Sequence, residues 1–323
     1  MKTTPLPLIL LLSLLLLAPT AKAEGEVNNT YWQDQLANVS VGTDGTPTDV
    51  QVTNDNTLYT VKTALGLAWI ANITNNKDSV YQADDPGYKK LYPHQKGFKN
   101  CTVKLDADIP LSDHFWTPIG KTSSTYFNGT FDGNHKVVKG LKIDIKNTST
   151  NSTTYAGLFG HLHGDVHDLG IQVATEGITA EGRIVYAGAL AGRNDEGVTQ
   201  NCFAIGESTA AIDVEATGTV SLGGLIGWNN GGSITNCYAT LNVKGTITTS
   251  ANITYAGGLV GYNHGNISHV YATGKVEATG QNNSQMGGVA GYIDTSTLSH
   301  ALAANKEGIT AKNTQTRDFL GRV

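Results

Sequence analysis

From residue 154 onward, apolar and polar positions recur in one seven-residue phrase. It reads Thr154-Tyr-Ala-Gly-Leu-Phe-Gly160, Tyr186-Ala-Gly-Ala-Leu-Ala-Gly192, Ser221-Leu-Gly-Gly-Leu-Ile-Gly227, Tyr255-Ala-Gly-Gly-Leu-Val-Gly261 and Gln285-Met-Gly-Gly-Val-Ala-Gly291. The closing glycines are 32, 35, 34 and 30 residues apart. A unit of that length cannot bury its own apolar face, so the units must stack. The copy that starts at Ala256 predicts three short strands, at 258–262, 267–272 and 275–278, with Gly, Asn and Thr between them. No helical stretch of ten or more residues fits between copies, which excludes a sheet of strand–helix–strand units. A propeller blade usually needs four strands over about 40 residues or more. The pattern therefore predicts an all-β, right-handed single-stranded parallel β-helix (solenoid), each strand pairing with its counterpart in the next coil.

Aligned on the closing glycines, the copies form columns. One holds Asp168, Asn201, Asn236, His269 and His300, polar side chains that can bond to each other along the axis. The next holds Leu169, Cys202, Cys237, Val270 and Ala301, then come Phe203, Tyr238, Tyr271 and Leu302, then four alanines. Small apolar residues at one depth mark an inward stripe, and the flanking rings should stack. Directly stacked coils lie about 4.8 Å apart, a spacing that a disulfide tolerates. Cys202 and Cys237 are thus either bonded or two buried thiols, and Cys101 is left over in both cases.

Ahead of the repeats the pattern changes. Residues 1–23 read as an export signal: Lys2, an apolar run over 6–18, and a small-x-small site, Ala21-Lys-Ala23, with cleavage expected after Ala23. This predicts a secreted or cell-surface protein. Residues 24–58 form a polar, loosely packed lead-in. Residues 59–98 supply a helix and a connecting loop, the helix over 60–72 with Thr60 as N-cap and Val61, Ala64, Leu65, Ala68 and Ala71 at helical spacing. An amphipathic helix ahead of an array covers its open apolar end. The β-helix is expected over 99–323. Asp132, in Phe131-Asp-Gly-Asn-His135, reads as a turn aspartate bonding its own backbone. The final Phe319-Leu-Gly-Arg-Val323 resembles the opening of another coil, which either closes the stack or marks an array that continues through another chain or in a longer protein.

Composition narrows the function classes. The formal net charge is -5, with 22 Lys and Arg against 27 Asp and Glu and no basic run. Nucleic acid and anionic membrane surfaces both call for clustered cations, so neither is an expected partner. Beyond the leader, no apolar stretch approaches the roughly 20 residues of a membrane span. The many Asn-x-Ser/Thr strings follow from a composition rich in Asn, Ser and Thr, and say little about glycosylation.

The phrase Gly257-Gly-Leu-Val-Gly-Tyr, followed by Ile267-Ser-His-Val-Tyr-Ala-Thr-Gly, resembles the GLUG motif of bacterial surface proteins. That motif also occurs in filamentous-haemagglutinin-like adhesins and in the β-helical segments of zinc-dependent immunoglobulin A proteases. Trp116-Thr-Pro-Ile-Gly120 and Gly129-Thr-Phe-Asp-Gly-Asn134 resemble the stretch that often opens such arrays, so the resemblance spans about 101–303. It implies a scaffold and a cell-surface setting rather than an active site.

Candidate chemistry is sparse. His161-Leu-His163-Gly-Asp165-Val-His167 would share one face of a straight strand as zinc ligands might. Gly164 aligns with Gly265, which falls between strands, so the backbone should turn there, and no metal is assigned. No His-Glu-x-x-His or Gly-x-Ser-x-Gly string occurs. The densest acids, Asp106, Asp108 and Asp113, read as a strand edge, and Arg183 and Arg193 lack a matching carboxylate cluster. No catalytic residue or cofactor is assigned, and a polysaccharide lyase or glycosidase remains the alternative. The preferred reading is a non-catalytic adhesin or ligand-binding scaffold for glycans or host and extracellular-matrix proteins. Its candidate site is a strip of Trp228, Tyr262 and Tyr292, which follow the closing glycine in three copies, with Asn229, Asn263 and Asp294 beside them. Facing solvent, the strip would bind; under a loop, it would be a structural stack.

Overall fold

A computed structural model describes residues 30–38, 48–76, 97–249, 253–279, 284–306 and 308–312. The expected export signal and the segment 319–323 lie outside the described residues. The chain winds as a parallel β-solenoid with three sheets along one axis. One five-stranded sheet comprises Thr153–Ala156, Ile184–Ala187, Val220–Gly223, Thr254–Gly257 and Ser284–Gly287. A second comprises Phe159–Leu162, Ala191–Asp195, Ile226–Asn230, Val260–His264 and Ala290–Ile293. The remaining strands form a broad third sheet of 15 strands.

Each phrase therefore straddles a corner. Its first half ends a strand of the first sheet, and its second half begins a strand of the second. The strand expected at 258–262 is corrected accordingly: the chain bends at 258–259, between Thr254–Gly257 and Val260–His264. The closing glycines explain the sharpness. A Cβ on Gly227 would lie 2.5 Å from the Gly192 carbonyl oxygen and 2.6 Å from the Ala187 nitrogen, and one on Gly261 would lie 2.4 Å from the Leu222 nitrogen. Only a residue without a side chain allows such backbone approach. The columns survive the corner, because Ala191 pairs with Ile226 and Ile226 with Val260. The first copy is one residue shorter there, since Tyr155 pairs with Tyr186 while Phe159 pairs with Ala191.

The polar column has a backbone cause. Asp168, Asn201, Asn236, His269 and His300 all sit at positive φ, between 49° and 55°. Asn, Asp and His tolerate this left-handed region best among residues with a side chain. The column also links coils: Asn201 Nδ2 donates to Asp168 Oδ1 at 2.9 Å, Asn236 Nδ2 to Asn201 Oδ1 at 3.2 Å, and the rings of His269 and His300 stack at 4.5 Å. Inside it, Cys202 and Cys237 are buried free thiols, with the Cys202 N–H directed at Cys237 Sγ at 3.4 Å. Burial pushes the Cys202 thiol well up. Cys101 is likewise free and buried.

The N-terminal boundaries are corrected. Residues 24–58 do not form a loose lead-in where they are described. Trp32 is buried and its indole N–H donates to the Leu111 carbonyl at 3.0 Å, while Val50–Val52 pairs with Leu58–Val61. Leu58–Val61 then pairs in parallel with Thr102–Leu105, so the stack begins ahead of residue 99. Thr60 belongs to that strand, whose residues alternate between half-buried and buried. The helix runs Ala64–Asn75, and the hydroxyl of Thr63 accepts the Gly66 N–H at 3.1 Å. Leu67 and Ile70 are fully buried in the cluster that also holds Leu105 and Ile119. Asn75 fastens the helix to the first coil: its Oδ1 accepts the N–H groups of Gly120 and Lys121, and its Nδ2 donates to the Pro118 carbonyl. Asp132 accepts the Asn134 N–H at 2.8 Å, the local backbone bond expected of it.

Candidate functional site

The second sheet places Trp228 beside Tyr262 and Tyr262 beside Tyr292, with Arg193 and His161 continuing the file toward the N-terminus. The three rings are half-buried, their centroids 5.5 and 5.0 Å apart, and they tilt by 65° and 44° rather than stack. The guanidinium of Arg193 lies 4.5 Å over the Trp228 indole, a cation–π contact. The first sheet adds a file that the sequence reading missed: Tyr155, Tyr186, Ser221, Tyr255 and Gln285. Its rings reach across the corner, Tyr186 to Trp228 at 5.0 Å and Tyr255 to Tyr262 at 5.0 Å. The signal was present, because these tyrosines open the same phrase whose end carries the strip.

Asn229 and Asn263 do not flank the strip as hydrogen-bonding partners. Both are fully buried, in a ladder of amides inside the solenoid. Asn194 Nδ2 donates to Asn229 Oδ1 at 2.9 Å, Asn229 Nδ2 to Asn263 Oδ1 at 2.8 Å, and Asn263 Nδ2 to Ser296 Oγ at 2.9 Å. The same Nδ2 atoms of Asn194 and Asn229 also donate to the carbonyls of Gly197 and Gly232. Neighbouring residues of a strand point to opposite faces, so a ring turned outward at Trp228 sends Asn229 inward. The strip's polar neighbours are instead Asp195, Asn230, His264 and Asp294. Asp195 pairs with Asn230 and Asn230 with His264. Asn230 Nδ2 donates to Asp195 Oδ1 at 2.8 Å, and the Tyr262 hydroxyl donates to Asp294 Oδ2 at 3.0 Å. Burial, helped by that carboxylate, pushes the Tyr262 phenol up to about 12.

The histidine string is divided by the turn at Gly164, because Phe159–Leu162 and Asp165–Gly182 belong to different sheets. Asp165 accepts the Val198 N–H at 2.8 Å. His167 lies with Asp132 and Asp168, its Nδ1 2.9 Å from Asp168 Oδ2. His161 and His163 turn instead toward Asp195 of the next coil. Asp195 Oδ2 lies 2.8 Å from His161 Nε2 and 3.3 Å from His163 Nε2, while Arg193 Nε donates to Oδ1 at 2.7 Å. Burial alone would raise the Asp195 pKa. The hydrogen bonds from His161, Arg193 and Asn230 outweigh it and hold the carboxyl well below its usual range. His163 is pushed down, first by burial and then by the charge of His161.

Among the acids singled out in the sequence, Asp106 faces Lys62 at 3.7 Å, and Asp108 is held by Lys139 at 2.6 Å. Arg183 lines a depression of about 310 Å³ with Glu181 and Glu215, which are neighbours in successive coils. A cavity of about 350 Å³ adjoins the N-terminal end of the tyrosine file, between Tyr155, Trp116, Tyr31, Lys121 and Asp144. Among the described residues, no helix is long and apolar enough to cross a membrane.

The GLUG motif family matches residues 218–244 and 252–277. A crystal structure of a protein from Bacteroides ovatus, described provisionally as an immunoglobulin A1 protease, is similar over 82% of this chain and 75% of that one. Its TM-score is 0.54 and its identity 20%, a likeness of fold. No curated protein matches the chain.

Proposed function

We propose that this GLUG-repeat β-helical protein is an exported bacterial surface protein that binds glycans, or glycan-bearing host or matrix proteins, without catalysis. The observation that carries the reading is the pair of aromatic files meeting at the corner. Half-buried rings at Trp228, Tyr262 and Tyr292 recur in three successive coils with half-buried Tyr255 beside them, Tyr155 and Tyr186 being buried, and Asp195, Asn230, His264 and Asp294 run alongside. Sugar rings pair an apolar face with a rim of hydroxyls, and a site of rings bordered by polar groups matches both. An extended chain lying parallel to the axis would meet equivalent contacts coil after coil.

The test is a glycan and matrix-protein array probed with the purified chain and with Trp228→Ala/Tyr262→Ala. The double variant is expected to fold and to lose binding. Unchanged binding by the folded variant ends the proposal. Export is tested separately, by sequencing the N-terminus of protein recovered outside the cell, where Glu24 is expected to come first. The carbohydrate-active alternative is tested at the depression holding Glu181, Glu215 and Arg183. Release of reducing sugars that disappears in Glu215→Gln would favour it.

A further inference from the structure

Of the cluster of His161, His163 and Asp195, only Asp195 enters the readings above, as one of the strip's polar neighbours. Its three ligand-type atoms lie within 4.8 Å of one another. His161 and Asp195 are buried, while the His163 side chain is about one third exposed, at 33%. His161 is held rigidly, with its ring parallel to that of Tyr155 at 5.4 Å and 3°. Its Nδ1 faces the Thr122 carbonyl at 3.4 Å. A carbonyl oxygen only accepts, so in the tautomer that carries its hydrogen on Nδ1 this contact is a hydrogen bond and the Nε2 lone pair faces Asp195 Oδ2; in the other tautomer Nε2–H donates to that oxygen. In the first of these tautomers a cation fits between nitrogen and oxygen, which lie 2.8 Å apart. His163 Nε2 brings a third donor atom to the same point, 3.3 Å from the same oxygen.

We propose that His161, His163 and Asp195 bind a divalent transition-metal ion of the zinc type, which clips two successive coils together. Tetrahedral zinc with bonds near 2.0–2.1 Å places its ligand atoms roughly 3.3 Å apart, close to the separations found here. Two imidazoles and one carboxylate are a common three-ligand set, and the exposed edge of His163 leaves a path for water as the fourth ligand. The other carboxylate oxygen is already oriented by Arg193 Nε and Asn230 Nδ2, and the carbonyl behind His161 fixes its ring. Such outer contacts set ligand direction in metal sites. The histidines come from one coil and the aspartate from the next, so the ion would tie the first repeat to the second.

The experiment uses the chain purified without a histidine tag and stripped of metal. Titration with Zn²⁺ by calorimetry is expected to show one saturable equivalent, and Co²⁺ to give the visible absorption of a four-coordinate nitrogen and oxygen site. Zn²⁺ should raise the melting temperature, and a chelator should reverse the rise. His163→Ala, at the half-exposed position, is expected to weaken Zn²⁺ by more than the 10–100-fold that outer contacts contribute. His167→Ala, in the neighbouring group with Asp132 and Asp168, should leave it unchanged. No saturable binding by the unaltered chain, or binding that survives His163→Ala, would overturn the proposal and leave a proton as the bridging cation.

Discussion

Two of the aromatic files that run along this solenoid are built differently. In Phe203, Tyr238 and Tyr271 the rings lie 5.1 and 4.7 Å apart and within 6° of parallel, so each spends its faces on its neighbours. In Trp228, Tyr262 and Tyr292 the rings tilt by 65° and 44°, and they touch a second file from the adjoining sheet. Both arise from the same register and similar residues. The difference is the neighbourhood: the first file stands alone on a broad sheet, whereas the second meets tyrosines across a glycine corner. Parallel rings are saturated by each other, and tilted rings are not.

The sharpest way to break this comparison is to remove what lies beneath the tilted file. Asn229→Leu takes the partner from one hydrogen of Asn194 Nδ2, whose other stays on the Gly197 carbonyl, and from the buried Asn263 Oδ1 acceptor. A loss of about 3 kcal/mol is expected, since each buried polar group left without a partner costs about 1–3 kcal/mol. Chemical denaturation measures it; a loss below about 1 kcal/mol would mean the ladder is not a structural rail. Next, Tyr238→Ala should cost about 2 kcal/mol by deleting two stacked pairs, with array binding retained. If binding falls instead, the parallel file is also a contact surface. Trp228→Ala alone should also cost about 2 kcal/mol, through its ring contacts with Tyr186 and Tyr262 and its contact with Arg193, while weakening ligand at least tenfold.

The smallest effect concerns pH. Asp168 is held below the ordinary carboxylate range, first by the hydrogen bond from Asn201 and then by His167. A group whose pKa is depressed in the fold lends stability above its unfolded value, and this is lost as pH falls through the folded one. Stability should therefore decline below about pH 4. Asp168→Asn, which matches the amides of Asn201 and Asn236, should flatten that decline by a few tenths of a kcal/mol. Denaturation midpoints at pH 3 and pH 6 make the comparison, and an unaltered slope would remove Asp168 from the account.

Much of the architecture was legible because the phrase repeats. Columns such as Asn201 with Asn236, or Trp228 with Tyr262, are neighbours in text and in space. What failed was local. Val61 fits both an alternating strand and a helical face, and pairing with Leu105 decided for the strand. Asn229 was misplaced because its chemistry was weighed before the two-residue alternation that turns it inward. The cluster of His161, His163 and Asp195 is half legible in the sequence: the histidines share one string, but the third member, Asp195, lies a full coil away. Only the register that pairs Arg193 with His161 brings it near.

The amide ladder has a direction. Asn194, Asn229 and Asn263 all donate toward the C-terminal end, and at the other end Asn194 Oδ1 has no partner, because its counterpart in the preceding coil is Leu162. An array that grows by duplicating this unit brings, with each copy, a new acceptor for the donor before it. The uncapped oxygen is then a fixed toll levied once, however many coils are added, and a long array bears it as lightly as a short one.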